Sequence, residues 1–221
     1  MRKIIFIGCG VLLFWGMLCG AERAVTASQA GPLTFTGSAD FTGEPFEIGA
    51  KEWQINWEYK AQEKQSPTFV LYVFPADDKI NWIDMVKGPA FDAGGSTYLY
   101  RGEGKYYIKV RAKSLASWKV DIVGKGVSDS APAPVTFSGS SDMTTTPFKI
   151  SKKEFKLNYV METADFGGQS IAVYPRGEMD NYIEMETVGT GTGTKVLEGP
   201  GEYYIKVQCT RVKSWKIDVT E

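Results

Sequence analysis

Two short segments of this sequence combine acidic, amide and aromatic side chains at matching spacing. The candidate ligand-binding residues are Asp78, Asn81, Trp82 and Asp84 in the first segment, and Glu178, Asn181, Tyr182 and Glu184 in the second. A flat aromatic ring beside carboxylate and amide groups suits a sugar, whose ring packs on the aromatic face while its hydroxyls form hydrogen bonds. The same carboxylates and amides are also oxygen ligands of the kind that Ca²⁺ prefers.

A turn is the more common reason for such residues to occur together. Asp and Asn side chains bond to nearby backbone in turns, and Trp82 or Tyr182 can cover one end of a β-fold. The same interpretation applies to Asp40 and Asp142, which follow Gly37 and Gly139. We predict no metal and no cofactor, and we keep the two segments as candidates for ligand binding.

The composition argues against an enzyme. The chain has no histidine, so the commonest general base, the commonest zinc ligand and all Ser-His or Cys-His nucleophile pairs are missing. A glycosidase would need only two carboxylates at a suitable separation, which the sequence does not reveal. The run from Gly189 to Gly193 lacks the lysine of a phosphate-binding loop and predicts a hairpin tip instead. We predict no catalytic residues.

The N-terminus resembles an export signal. Arg2 and Lys3 precede an apolar run from Ile4 to Leu18, and small residues follow near Gly20. We predict a signal peptide over residues 1–21, a flexible lead over 22–31, and a periplasmic or extracellular protein with no membrane span after cleavage. A retained anchor is the alternative. Lipid attachment at Cys19 is not expected, because Leu18 and Gly16 fit the attachment pattern poorly.

The remaining sequence is an internal repeat, and alternating residues predict its strands. Repeat 1 covers residues 32–123 and repeat 2 covers residues 134–221, with a Gly-, Ser-, Ala- and Pro-rich linker over 124–133. We predict an all-β protein of two tandem antiparallel β-sandwich, jelly-roll-like domains. The predicted core alternates along three pairs of strands. Its members are Trp53, Ile55, Trp57, Tyr106, Ile108, Val110, Trp118, Val120 and Ile122, then Phe155, Leu157, Tyr159, Tyr203, Ile205, Val207, Trp215, Ile217 and Val219.

Each repeat closes on two predicted strands joined by a short loop. The outward residues of these strands, among them Tyr107, Lys109, Tyr204 and Lys206, predict a solvated face. Cys209 shares the inward face of its strand with Ile205 and Val207, so we predict a small buried thiol there. One helical turn is also possible over residues 78–87.

The closing sequence, Gly-x-Tyr-Tyr-Ile-Lys-Val from Gly104 and from Gly201, resembles the end of bacterial pre-peptidase C-terminal-type domains. That resemblance implies a small β-sandwich that accompanies exported bacterial enzymes, similar to collagen- or carbohydrate-binding modules. An Asp-rich stretch that such domains carry before the central strand is missing here, which argues against an inherited calcium site.

These observations predict an exported, non-catalytic binding or adhesion module whose partner is a polysaccharide or an envelope protein. The alternative is a structural envelope component that acts by self-association; the oligomeric state is left open. The net charge of −1 and the lack of a basic stripe predict no nucleic-acid partner.

Overall fold

The strands of repeat 1 come from short alternating segments. The computed structural model describes residues 32–63, 65–127 and 129–221, so the predicted signal peptide and flexible lead lie outside the described residues. The strands of repeat 1 are β1 (Leu33–Gly37), β2 (Phe41–Thr42), β3 (Phe46–Ile48), β4 (Trp53–Ala61), β5 (Thr68–Pro75), β6 (Asp84–Lys87), β7 (Ala93–Leu99), β8 (Gly104–Lys113) and β9 (Leu115–Val123).

The strands of repeat 2 follow the same order, preceded by a short strand from the predicted linker. They are β10 (Ala131–Pro132), β11 (Val135–Gly139), β12 (Met143–Thr144), β13 (Phe148–Ile150), β14 (Glu154–Pro175), β15 (Glu184–Val188), β16 (Gly191–Glu198) and β17 (Gly201–Thr220). The all-β prediction is confirmed: the described residues contain strands and turns and no helix. The helical turn predicted over residues 78–87 is wrong, since Asp84 to Lys87 form β6.

Repeat 1 has two sheets that face each other. One has the strand order β1-β9-β4-β7, and the other has the order β2-β8-β5-β6 with β3 also pairing with β8. All of these pairs are antiparallel. The outer strands β6 and β7 therefore lie at the same side of the sandwich, one at the edge of each sheet. We call this side the β6–β7 edge.

In repeat 2, single long strands take part in both layers. β14 has 22 residues and β17 has 20, and they pair with each other along most of their length. The two predicted closing strands of repeat 2 therefore form one continuous strand, β17, without the predicted loop between them. Instead Arg211 sits within β17 at φ 53°, in the left-handed region. Ser114 has φ 56° at the same place in repeat 1, between β8 and β9.

Each repeat has its own hydrophobic cluster, and every predicted core residue lies in one of them. Trp118 and Trp215 occupy matching positions, and their Nε1 atoms donate to the carbonyl oxygens of Ala39 and Ser141 at 3.0 and 3.1 Å. A Cβ at Gly37 would lie 2.6 Å from the Trp118 ring, so this strand passes too close to the ring for a side chain. Alternating burial along the strands thus gives each repeat a core built from residues at matching positions.

The predicted linker contributes one short strand to repeat 2. Ala131 and Pro132, near the end of the predicted linker, pair in parallel with Phe148 and Lys149 of β13. This short pair is also an exception to the predicted antiparallel arrangement. The predicted domain boundaries otherwise stay predictions. Among the described residues, no helix has the length and apolar character needed to cross a membrane.

Candidate functional site

The acidic residue that begins the first candidate segment organises a turn. Asp78 Oδ1 accepts hydrogen bonds from the backbone N–H groups of Ile80 and Asn81 at 2.8 and 2.9 Å, and Oδ2 accepts from Asn81 Nδ2 at 2.9 Å. These bonds, the backbone N–H of Asn81 first, lower the pKa of Asp78 by stabilising its charged form. The hydrogen-bonding groups of Asp78 and Asn81 are thus partners of each other within the turn.

The second segment uses a looser version of this turn. Asn181 Nδ2 donates to Glu178 Oε2 at 3.3 Å. Both turns are also held to the sheet by the tyrosines of the closing strands: Tyr107 donates to the carbonyl of Asp78, and Tyr204 to that of Glu178. The polar residues of both segments therefore position the loops that carry Trp82 and Tyr182.

The aromatic residues of both segments reach solvent. Trp82 is 42% exposed and Tyr182 is 48% exposed. Trp82 packs at a tilt on Tyr72, with 6.4 Å between ring centroids, and Tyr182 meets Tyr174 edge-on at 6.1 Å. Each ring is therefore supported on one side and open on another, as a stacking surface requires.

The two acidic residues that end the segments have different environments. Asp84 is only 2% exposed, and Lys206 Nζ of repeat 2 donates to its Oδ1 at 2.6 Å. Thr97 also donates to Asp84, at 3.4 Å. Glu184, at the matching position on β15, is half-buried. The Asp84 carboxylate is thus engaged inside the protein and is not available to a ligand.

A cleft between the repeats collects parts of both candidate segments. Its volume is about 120 Å³. The walls from repeat 1 include Trp82, Tyr98 and Arg101, and those from repeat 2 include Met179 and Asp180. Tyr174, which supports Tyr182, lines the same cleft. Docking of the repeats therefore brings the two loops to one site, which their separation in the sequence does not suggest.

The floor of the cleft is an ion pair beside a stack of tyrosines. Burial alone would lower the pKa of Lys206, but the Asp84 carboxylate outweighs it and raises that pKa, so the lysine stays charged. Tyr100 of repeat 1 stacks on Tyr204 with 3.9 Å between centroids, and Tyr204 stacks on Tyr174 at 5.2 Å. The prediction of a solvated outward face is therefore wrong at Lys206 and Tyr204, because repeat 1 covers them. It is also wrong at Tyr107, which is buried and stacks on Phe74.

Further hydrogen bonds fix the two repeats against each other around this floor. Asp142 Oδ1 accepts from the backbone N–H of Cys209 at 2.6 Å, and its Oδ2 accepts from that of Lys87 in repeat 1 at 2.9 Å. Tyr100 donates from its hydroxyl to the carbonyl oxygen of Thr145 at 2.8 Å. Arg176 binds both carboxylate oxygens of Glu52, at 2.7 and 2.9 Å. The cleft walls are thus held in a fixed orientation.

Sequence reasoning missed the residues that only docking makes important. Tyr98, Tyr100 and Arg101 carry no recognisable motif, and Lys206 looked like a surface lysine. One signal was present: Tyr100 corresponds to Glu198 in repeat 2, and Thr97 to Lys195. Differences between otherwise matching repeats point to a surface with a different environment.

The described residues offer few other reactive groups. No group of three or more His, Cys, Asp or Glu side chains among them converges as a metal site. Cys209 packs against the core of repeat 2, and burial raises the pKa of its thiol to about 12, so the thiol is neutral. The sequence placed this thiol on the inward face of its strand, as observed, but Cys209 is only partly buried rather than fully buried.

Comparisons with known proteins add little. A scan of family models finds no match, and a search of curated proteins finds none either. Among solved structures, one similar chain comes from the structure of the M60 catalytic domain with the CBM51-1 and CBM51-2 domains from Clostridium perfringens ZmpB. The match has 6% identity and a TM-score of 0.25, and it covers 86% of this chain and 34% of that chain. At that score the likeness supports no argument.

Proposed function

We propose that this chain is an exported, non-catalytic binding module that holds a carbohydrate at the cleft between its repeats. The observation that carries the proposal is Trp82, an exposed ring at the mouth of a polar cleft. A sugar ring would pack on Trp82 while its hydroxyls bond to Arg101, Asp180 and Tyr98. The preset cleft walls favour affinity, because little ordering is needed on binding.

The charges at the cleft support binding over catalysis. Asp84 and Asp180 are the carboxylates among the residues that line the cleft. Acid and base roles in glycoside hydrolysis need two carboxyl groups that reach the substrate. Asp84 is buried beneath Lys206 and already paired with it, so only Asp180 is left to meet a ligand.

The location follows from the predicted signal peptide: such a module would meet polysaccharides of the envelope or outside the cell. The resemblance to pre-peptidase C-terminal-type domains fits the same proposal. An envelope protein is the alternative ligand, since exposed aromatic residues also anchor protein interfaces.

A glycan array followed by calorimetry with the best glycan tests the proposal. We expect Trp82→Ala to weaken binding by at least about tenfold, since stacking on a sugar is lost while the loop stays held by Asp78. Phe91→Ala is the matched control, because Phe91 is another exposed aromatic of repeat 1 that does not line the cleft. The proposal fails if the folded protein binds no glycan, or if both variants bind like the wild type. Capture of an envelope protein that depends on Trp82 would favour the alternative ligand.

A further inference from the structure

A second, larger cavity lies where the repeats meet, and none of its lining residues belongs to the carbohydrate cleft. Its volume is about 320 Å³. The walls come from the start of β5, the chain that follows β6, and the bend of β17. This size is within the range of small-molecule pockets in proteins.

The interior of this cavity is apolar. Phe69 and Val212 are buried in the hydrophobic clusters of repeats 1 and 2, and they reach the cavity together with Pro89. Phe91 stands at the cavity with 51% of its surface exposed. Cys209 adds a neutral wall, because burial raises the pKa of its thiol to about 12. An apolar body would be desolvated on entering this space.

The rim of the cavity is basic. Lys87, Arg211 and Lys213 all line it and are all exposed, and no acidic side chain is among the lining residues that the structure describes. None of the three takes part in an ion pair between described residues. An anion at the rim would therefore meet three cations that form no direct ion pair with a described carboxylate.

Comparison of the repeats shows that the fold does not require these charges. Ser114 of repeat 1 has the same left-handed backbone conformation as Arg211 of repeat 2. Leu115 and Ala116 follow Ser114, where Val212 and Lys213 follow Arg211. The apolar residue is retained while both basic residues are replaced by small ones. The left-handed bend of repeat 1 thus forms without basic residues. Arg211 and Lys213 occur only in the bend of repeat 2, which lines the cavity.

We propose that this cavity binds an amphiphilic anion, with the apolar body between Phe69, Pro89 and Val212 and the anionic group at Lys87, Arg211 and Lys213. A medium-chain carboxylate has this chemistry. Burial of the apolar body supplies most of the affinity, and the exposed cations select a charged end over a neutral one. The site is separate from the carbohydrate cleft and does not rest on its function.

Titration of the full chain with decanoate, below its micelle-forming concentration, tests the proposal by calorimetry and NMR. We expect saturable binding with shifts around Val212, and weaker binding of decanol, which has the same chain without the charge. The double variant Arg211→Ser, Lys213→Ala carries the residues of repeat 1 at these positions and should retain the fold. It should bind decanoate about tenfold more weakly and decanol unchanged.

Two further variants separate this site from the cleft. Phe91→Ala should weaken decanoate binding and spare glycan binding, whereas Trp82→Ala should do the reverse. No saturable decanoate binding by the wild type would overturn the proposal. Equal affinity of the wild type and the double variant, or equal affinity for decanoate and decanol, would also overturn it.

Discussion

The β6–β7 edge of repeat 1 and the matching β15–β16 edge of repeat 2 have the same backbone and different surroundings. Repeat 2 covers the first edge, whose contacts include Lys206 on Asp84 and Tyr100 on Tyr204. The second edge is not covered by any described residue of the chain, and Met185 and Val196 are exposed there. The side chains differ accordingly.

The differences fall at positions that face between the two sheets. Val86 lies opposite Leu71 in repeat 1, and Glu186 lies opposite Ile171 in repeat 2. Likewise, Thr97 lies opposite Ile55 in repeat 1, and Lys195 lies opposite Leu157 in repeat 2. Lys195 Nζ lies 3.7 Å from Glu186 Oε1. Inward-pointing charges protect open sheet edges from pairing with another chain. The open edge of repeat 2 carries such charges at these positions, and the covered edge of repeat 1 carries uncharged residues.

Removal of the buried ammonium group should have the largest effect. Lys206→Ala leaves Asp84 buried beside Thr97 without its counter-charge, which costs about 3–5 kcal/mol for buried pairs. Lys109 is the matching residue of repeat 1, where its Nζ lies 4.7 Å from the centre of the Phe74 ring. Lys109→Ala loses this cation–π contact and a second, longer one to the Tyr107 ring at 5.5 Å, each worth about 0.5–1 kcal/mol. Urea denaturation of both variants measures the difference.

Equal, small losses of stability in Lys206→Ala and Lys109→Ala would contradict the buried pair. The double variant Asp84→Ala, Lys206→Ala is a further check. It should recover part of the loss, because no charge is then left unpaired in the interface.

The second prediction concerns pH and compares Asp142 with Asp40. Both carboxylates accept a backbone N–H of their own repeat, from Cys209 and Ala112 respectively. Only Asp142 is buried, and this burial raises its pKa to about 6 against the bonds from Cys209 and Lys87. Between about pH 4 and pH 6 the folded protein therefore binds more protons there than the unfolded chain does.

Because the folded state binds more protons in this range, a rise in pH lowers the stability of the folded protein. As pH rises from about 4 to about 6, Asp142 ionises inside the interface, and the free energy of unfolding falls by on the order of 3 kcal/mol. Asp142→Asn should remove this slope, while Asp40→Asn should keep it. Urea denaturation across this pH range, read as the difference between variants, gives the result. Parallel curves for both variants would show that Asp142 does not titrate in this window.

The sequence predicts the strands and cores well, because alternation at period two is a local pattern. Trp53, Ile55 and Trp57 can be assigned to the core without knowledge of any other strand. The role of Asp84 depends instead on Lys206, 122 positions further along the chain. No local pattern encodes that contact. The pairs Val86/Glu186 and Thr97/Lys195 did hold information about docking, but it becomes readable only once the pairing register is known.

The candidate site was predicted in part, for the same reason. The turn around Asp78 and Asn81 is local, so its chemistry could be read from residue types. Exposure of Trp82 depends on how its loop leaves the sheet, and the cleft beside it depends on docking of the repeats. Arg101 therefore had no signal in the sequence as a site residue.

The smallest expected effect, in free energy, is on self-association through the open edge. One route to self-association, the structural alternative for this protein, is an edge that pairs with another chain, and Glu186 and Lys195 oppose such pairing. Glu186→Val with Lys195→Thr gives this edge the residues of the covered one without changing the net charge. Each new cross-strand pair between two chains adds only about 0.2–1 kcal/mol, so association should be weak and depend on concentration.

Sedimentation equilibrium over a wide concentration range detects such association. The matched control is Glu58→Val with Lys60→Thr, which makes the same exchanges at exposed positions of β4, a strand paired on both sides. We expect the edge variant to shift towards dimers while the control sediments like the wild type. If the wild type already associates and Glu186→Val with Lys195→Thr leaves that unchanged, these charges do not guard the edge. Dimers of both variants alike would assign the effect to hydrophobicity rather than to the open edge.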